Sequence, residues 1–144
     1  MNDLNGVTCP FCGEGVLNHE VRDQEYSYKG HFLLIQQPGT YCSCCEEAIL
    51  SPDDLKSNRK DLQAFRSRVD GLLEPSQIQK IRKTLGLTQK DAADVFGGGH
   101  NAFSRYERGE IPPPKSLSLL LSVLDVHKDI RADVIGAGHK IKHG

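Results

Sequence analysis

In the first third of the chain the apolar residues fall in short alternating runs. Val16 to Glu20, Glu25 to Tyr28 and His31 to Gln36 read as strands, with Lys29-Gly30 as a turn and Pro38-Gly39 as another ahead of Tyr41. From Ser51 the period changes. Ser51 is a capping residue, Pro52 takes the first helical position, and Asp53 and Asp54 lie in the first turn. A single helix is expected from there to about Val69, with Leu55, Leu62, Phe65 and Val69 as a narrow apolar stripe and Lys56, Arg59, Lys60, Arg66 and Arg68 on its polar sides. Gly71 and Pro75 bound a linker, so a domain boundary is expected near Leu73, giving domains 1–73 and 74–144.

The second half is helical in pattern. Ser76 to Leu85 turns Ile78, Ile81 and Leu85 inward and stops at Gly86. Thr88 is a good N-cap for a helix carrying Ala92, Ala93, Val95 and Phe96, and Gly97-Gly98-Gly99 breaks it. A further helix is expected from about His100 to Arg108, ended by Gly109. Ile111-Pro112-Pro113-Pro114 forbids helix. Ser116 then caps Leu117 to His127, with Leu117, Leu120, Leu121 and Leu124 down one side and Val123 beside it. Asp129 to Ile135 adds a last turn or two, and Gly136 to Gly144 reads as a frayed basic tail.

Two short helices about a glycine turn form a helix-turn-helix, whose second helix fits the DNA major groove. On that second helix Asn101, Ser104, Arg105 and Arg108 fall at i, i+3, i+4 and i+7 and share one face, while Ala102, Phe103 and Tyr106 lie towards the other. Arg can grip guanine O6 and N7 with two hydrogen bonds, and Asn can do the same on adenine. The expected DNA-binding set is Asn101, Arg105, Ser104, Thr88, Gln89 and Lys90. A solvated polar face is the plainer reading of the same residues. The leucine side of Leu117 to His127 reads as domain core and, in addition, as a dimer seam, because such proteins read palindromes with two recognition helices about 34 Å apart.

Net charge is −1 over 144 residues, but it is unevenly divided. Residues 1–75 hold 7 Lys and Arg against 12 Asp and Glu, and residues 76–144 hold 11 against 7. Only the second part suits phosphate contacts. The apolar runs are too short to span a membrane, and the polar start MNDLNGV has no secretory pattern, so a cytoplasmic location is expected. There, cysteines more often bind metal or do redox work than form disulfides.

Cys9-Pro-Phe-Cys12 and Cys42-Ser-Cys-Cys45 provide two CxxC pairs, enough thiolates for one closed tetrahedral structural Zn2+. A small half with few large apolar residues needs such a staple. Cys-Pro-Phe-Cys also looks like a glutaredoxin redox pair, but Gly13 and Gly15 follow at once and the second pair would go unexplained. Cys44 is expected to bind nothing. His19 and His31 are weighed as ligands and set aside in favour of the cysteines. Four thiolates leave no open coordination position, and no HExxH or nucleophile–base pair is present, so no enzyme is expected.

The segment LTQ, the glycine turn and SRYERGE resemble the phage-repressor-like helix-turn-helix family. Nearly the whole chain is similar to the MqsA (YgiT-type) antitoxins. The resemblance is carried by both CxxC pairs, YC-xx-CEE at Tyr41 to Glu47, QAFR-x-x-V at Gln63 to Val69, LTQK at Leu87 to Lys90 and GGG-x-NAFSRYE. It implies an α+β zinc-ribbon-like N-terminal domain, with a small antiparallel sheet and a helix, that binds and blocks a small RNase toxin. It also implies an all-α helix-turn-helix C-terminal domain that dimerises and represses the toxin–antitoxin operon. Cys9, Cys12, Cys42 and Cys45 match the family's zinc ligands, and Asn101 and Arg105 its base-reading positions. The departures are a longer N-terminus before Cys9 and a tail after Ile135. The competing expectation is a free-standing zinc-containing transcriptional regulator with no toxin partner.

Overall fold

The structure, a computed structural model, describes residues 4–143, with side chains described up to His139. The expectation for the final residue of the tail, and for Met1 to Asp3 at the start, lies outside the described residues. The chain divides into two compact units, residues 1–59 and 60–144.

The first unit is built on one long hairpin. Strands β1 (Leu17–Tyr28) and β2 (His31–Cys42) pair antiparallel along their whole length, from Leu17 opposite Cys42 to Tyr28 opposite His31. Lys29 and Gly30 make the turn, both with positive φ. The short β3 (Ala48–Ile49) adds to the other edge of β2, and only at Thr40 and Tyr41. The expected turn at Pro38-Gly39 is therefore corrected: both residues continue β2, opposite Val21 and Glu20. Proline is tolerated there because β3 does not reach that far, so the outer edge of β2 carries no ladder at Pro38.

The helix expected from Ser51 to Val69 is also corrected, into α1 (Pro52–Lys56) and α2 (Arg59–Asp70). The start is as the sequence reads. Ser51 Oγ accepts from the Asp54 amide at 3.1 Å, and Asp54 Oδ2 accepts from the Ser51 amide at 2.9 Å, a full capping box. The break comes from side chains that bind elsewhere. Ser57 Oγ donates to the Asp54 carbonyl, and Asn58 Nδ2 donates to the Gln36 carbonyl and to Gln37 Oε1. Leu55 is exposed rather than part of a buried stripe, and on α2 Phe65 is the buried apolar residue. Helix α2 groups with the second unit, whereas the sequence expectation drew the boundary near Leu73.

The second unit continues with α3 (Pro75–Thr84), α4 (Gln89–Phe96), α5 (Ala102–Glu107) and α6 (Lys115–Val126). Its core is Ile78, Ile81, Ala92, Ala102, Phe103, Tyr106, Leu117 and Leu121. Phe103 is fully buried, tilted against Phe96 at 6.0 Å and edge-on to Tyr106 at 5.6 Å between ring centroids. Helix α6 starts at Lys115 after Pro114, so Ser116 is inside it and not its cap. Leu117, Leu121 and Leu124 are its buried side, while Leu120 and Val123 are partly exposed.

A one-turn 3-10 segment, Lys128–Ile130, leads into α7 (Arg131–His143). This overturns the frayed tail: residues 136–143 are helical. Helix α7 packs on α4, and Gly138 is the contact that permits it. A Cβ at Gly138 would lie 2.6 Å from the Val95 carbonyl oxygen and 3.0 Å from Val95 Cα, so any larger residue would force the helices apart. Among the described residues no helix is long and apolar enough to cross a membrane.

Candidate functional site

Two loops at the open end of the hairpin bring the four expected cysteines together. In the first, the Cys9 amide donates to the Gly15 carbonyl and the Gly13 amide to the Cys9 carbonyl, folding Cys9 to Cys12 into a knuckle. In the second, the Cys42 amide donates to the Glu47 carbonyl. The loops are tied by Ser43, whose amide donates to the Val16 carbonyl and whose Oγ accepts from the Val16 amide, each at 3.0 Å.

The Sγ atoms of Cys9, Cys12, Cys42 and Cys45 all lie within 4.8 Å of one another. Cys9 and Cys45 are 3.8 Å apart and Cys12 and Cys42 3.7 Å, too far for disulfides, and all five cysteines are free. A tetrahedron with metal–sulfur bonds of about 2.3 Å has edges of about 3.8 Å, so these sulfurs fit a tetrahedral cation. The four cysteines are thus positioned to bind a metal ion. Cys44 is exposed and outside the cluster. His19 is outside it too, with Nε2 bonded to Asp54 Oδ1 at 2.9 Å.

The electrostatics favour a cation. The Gly15 and Glu14 amides pull the Cys12 thiol down to about 6, and the Cys45 and Cys44 amides lower that of Cys42. At Cys45 the Glu47 amide favours the thiolate, but burial and the sulfurs of Cys42, Cys9 and Cys12 outweigh it and push the thiol up to about 12. Amides stabilise some of the negative charges, and a cation at the centre would offset the repulsion among the rest.

In the second unit, α4, the glycine turn and α5 form the expected helix-turn-helix. Thr88 caps α4, its Oγ accepting from the Asp91 amide at 3.0 Å. Gln89 and Lys90 open that helix, Gln89 half-buried and Lys90 exposed. Asn101 is the N-cap residue of α5, outside the helix by one position and exposed. Arg105 and Arg108 are exposed and Ser104 is half-buried on the same side. The structure therefore gathers Asn101, Ser104, Arg105 and Arg108 on one surface and keeps Phe103 and Tyr106 beneath.

Sequence reasoning missed the pair that holds α5 in place. Arg82 on α3 donates through Nε and Nη2 to both carboxylate oxygens of Glu107, each at 2.8 Å, and through Nη1 to the Leu87 carbonyl at 2.9 Å. Both side chains are buried. The one signal was Glu107 falling on the Phe103 and Ala102 side of its helix, where an acid needs a partner.

A hairpin unit carrying a four-cysteine cluster is thus followed along the chain by a unit of packed helices, and comparison with known proteins gives the class. Residues 7–134 match the family described as the antitoxin component of a bacterial toxin-antitoxin system, MqsA. Antitoxin MqsA of Escherichia coli (strain K12) is 38% identical over 130 residues, spanning 89% of this chain and 99% of the relative. The chain belongs to the MqsA antitoxin family. Among solved structures, the N-terminal domain of the Escherichia coli protein MqsA is similar at 27% identity, covering 45% of this chain and 98% of that one, with a TM-score of 0.41.

Proposed function

We propose that this antitoxin works through two separable parts. Residues 1–73 bind and neutralise a small RNase toxin. Residues 74–144 dimerise, bind palindromic operator DNA and repress the operon encoding both proteins. The ion held by Cys9, Cys12, Cys42 and Cys45 is one structural Zn2+, since four thiolates fill a tetrahedral site and leave no position for substrate. Asn101 and Arg105 read bases, with Ser104, Thr88, Gln89 and Lys90 completing the contact to DNA.

The observation that carries this reading is the exposed donor face of α5 on an otherwise buried helix. Asn101, Arg105 and Arg108 face solvent while Ala102, Phe103, Tyr106 and Glu107 are buried. The basic balance of residues 76–144 supports phosphate contact, and the acidic balance of residues 1–75 supports association with a basic RNA-cutting partner.

The test is co-expression with the small reading frame encoded beside this one. Growth is scored with the full chain, with residues 1–73 and with residues 1–59. Rescue and co-purification by residues 1–73 but not 1–59 support the division near Leu73. A harmless neighbour would leave a plain zinc-containing regulator.

A further inference from the structure

We propose that Glu110 sets the sequence selectivity of the donor face, by occupying its arginines until a base edge displaces it. The inference rests on the DNA-binding reading above. Helix α5 ends in a Schellman closure: the Gly109 amide donates to the Tyr106 carbonyl, and the Glu110 amide donates to the Arg105 carbonyl at 2.9 Å. Gly109 has φ +74, so the chain doubles back at that residue. Glu110 is thereby fixed by backbone beside the exposed side of α5, and not left on a free loop. Its Oε2 lies 3.1 Å from Arg108 Nη2 and 3.7 Å from Arg105 Nε. One carboxylate oxygen sits between the two guanidinium groups.

A carboxylate there does two things. It neutralises the arginines locally, and it repels a phosphate that approaches them. A single phosphate contact offers each arginine little more than Glu110 already does. A guanine edge offers Arg105 two aligned hydrogen bonds, a larger gain. Glu110 is then displaced on DNA carrying the right base and retained on other DNA, so it suppresses indiscriminate binding more than specific binding. It acts through the arginines and touches no base, which makes it a positioning residue.

The experiment measures binding of the full chain, loaded with Zn2+, to two duplexes of equal length. One is the DNA upstream of its own reading frame and the other is a shuffled version. Wild type, Glu110→Gln, Arg108→Ala and the Arg108→Ala/Glu110→Gln pair are compared over a range of salt. Wild-type preference for the upstream duplex tests the DNA-binding reading itself, and its absence would fail that reading before Glu110 is reached. Given that preference, Glu110→Gln should tighten binding to the shuffled duplex by roughly three- to tenfold near 0.1 M salt, and to the upstream duplex by less. The slope of affinity against salt on the shuffled duplex should steepen, which a purely structural role for Glu110 would not produce. The effect should shrink in the Arg108→Ala background. Gln keeps the backbone closure; if it nonetheless lowers the thermal transition, Glu110→Asp, which keeps the charge but withdraws it by one methylene, should show a smaller change of the same sign. Equal tightening on both duplexes, no change, or weaker binding would each overturn the proposal.

Discussion

Arg82 and Glu107 carry the most consequence of any single pair in the second unit. Their side chains are 9% and 4% exposed, and the bond between them runs from the supporting helix to the helix that presents Asn101 and Arg105. Glu107→Ala leaves a guanidinium buried without its partner, a loss of about 3–5 kcal/mol, read as a drop in the denaturation midpoint of the second unit. Arg105→Ala removes an exposed side chain, so the same transition should hardly move. Preference for the operator should fall by about 1–3 kcal/mol per half-site in competition binding. Asp54 provides a pH-dependent test in the first unit. The His19 ring bonded to it, and then the Ser51 amide, hold its carboxyl below the usual carboxylate range. A depressed acid contributes stability above its unfolded pKa and loses it as pH falls through the folded value. The stability difference between wild type and Asp54→Asn should therefore be largest near neutral pH and vanish in strong acid, as followed by denaturant titration. The grouping of the four cysteines, and of Asn101, Ser104, Arg105 and Arg108 on one surface, was legible at this scale because spacing alone brings them together. Arg82 was not, since an arginine on a mixed helix looks solvent-facing until its distant partner is seen.

At the scale of elements, local signals were readable and long-range ones were not. Ser51, Thr88 and Gly109 each begin or end a helix as their chemistry demands. The long β2 was read as ending early because Pro38-Gly39 is a strong local turn signal, and no local pattern reveals that β3 leaves that edge bare. The break between α1 and α2 has the same origin, in Asn58 reaching back to β2. The sequence anticipated the first turn of α7 but not its continuation over residues 136–143, because the apolar content there is low and its order comes from lying against α4. That contact makes a prediction. Gly138→Leu should push α7 away from Val95 and lower the stability of the second unit by about 1–3 kcal/mol, measured by thermal denaturation, with metal content unchanged. The matched family segment ends at residue 134, so the Gly138 contact lies beyond the part of the chain that defines the family.

For the whole molecule, two units with opposite charge balance and separate cores should respond independently to insult. Chelation of the ion should unfold the first unit and leave the cooperative transition of the second in place, as seen by calorimetry with and without chelator. Cys45→Ser should do the same without chelator, with less than one metal ion per chain by elemental analysis. Among the described residues, the first unit's buried apolar cluster is Cys9, Leu17 and Cys42, with Leu4, Cys12, Cys45 and Ile49 packed around it. Two of its three buried members, Cys9 and Cys42, belong to the four-cysteine cluster, so loss of an ion bound there would remove the core and the cross-link together. A cellular protease needs an unfolded segment to begin cutting. The residence time of the ion then becomes a clock for that half of the protein. While an ion is held there, both units of the antitoxin stay folded. Once it leaves, the first unit is open to degradation while the helical second unit keeps its own core, and the two parts decay on different schedules from one molecule.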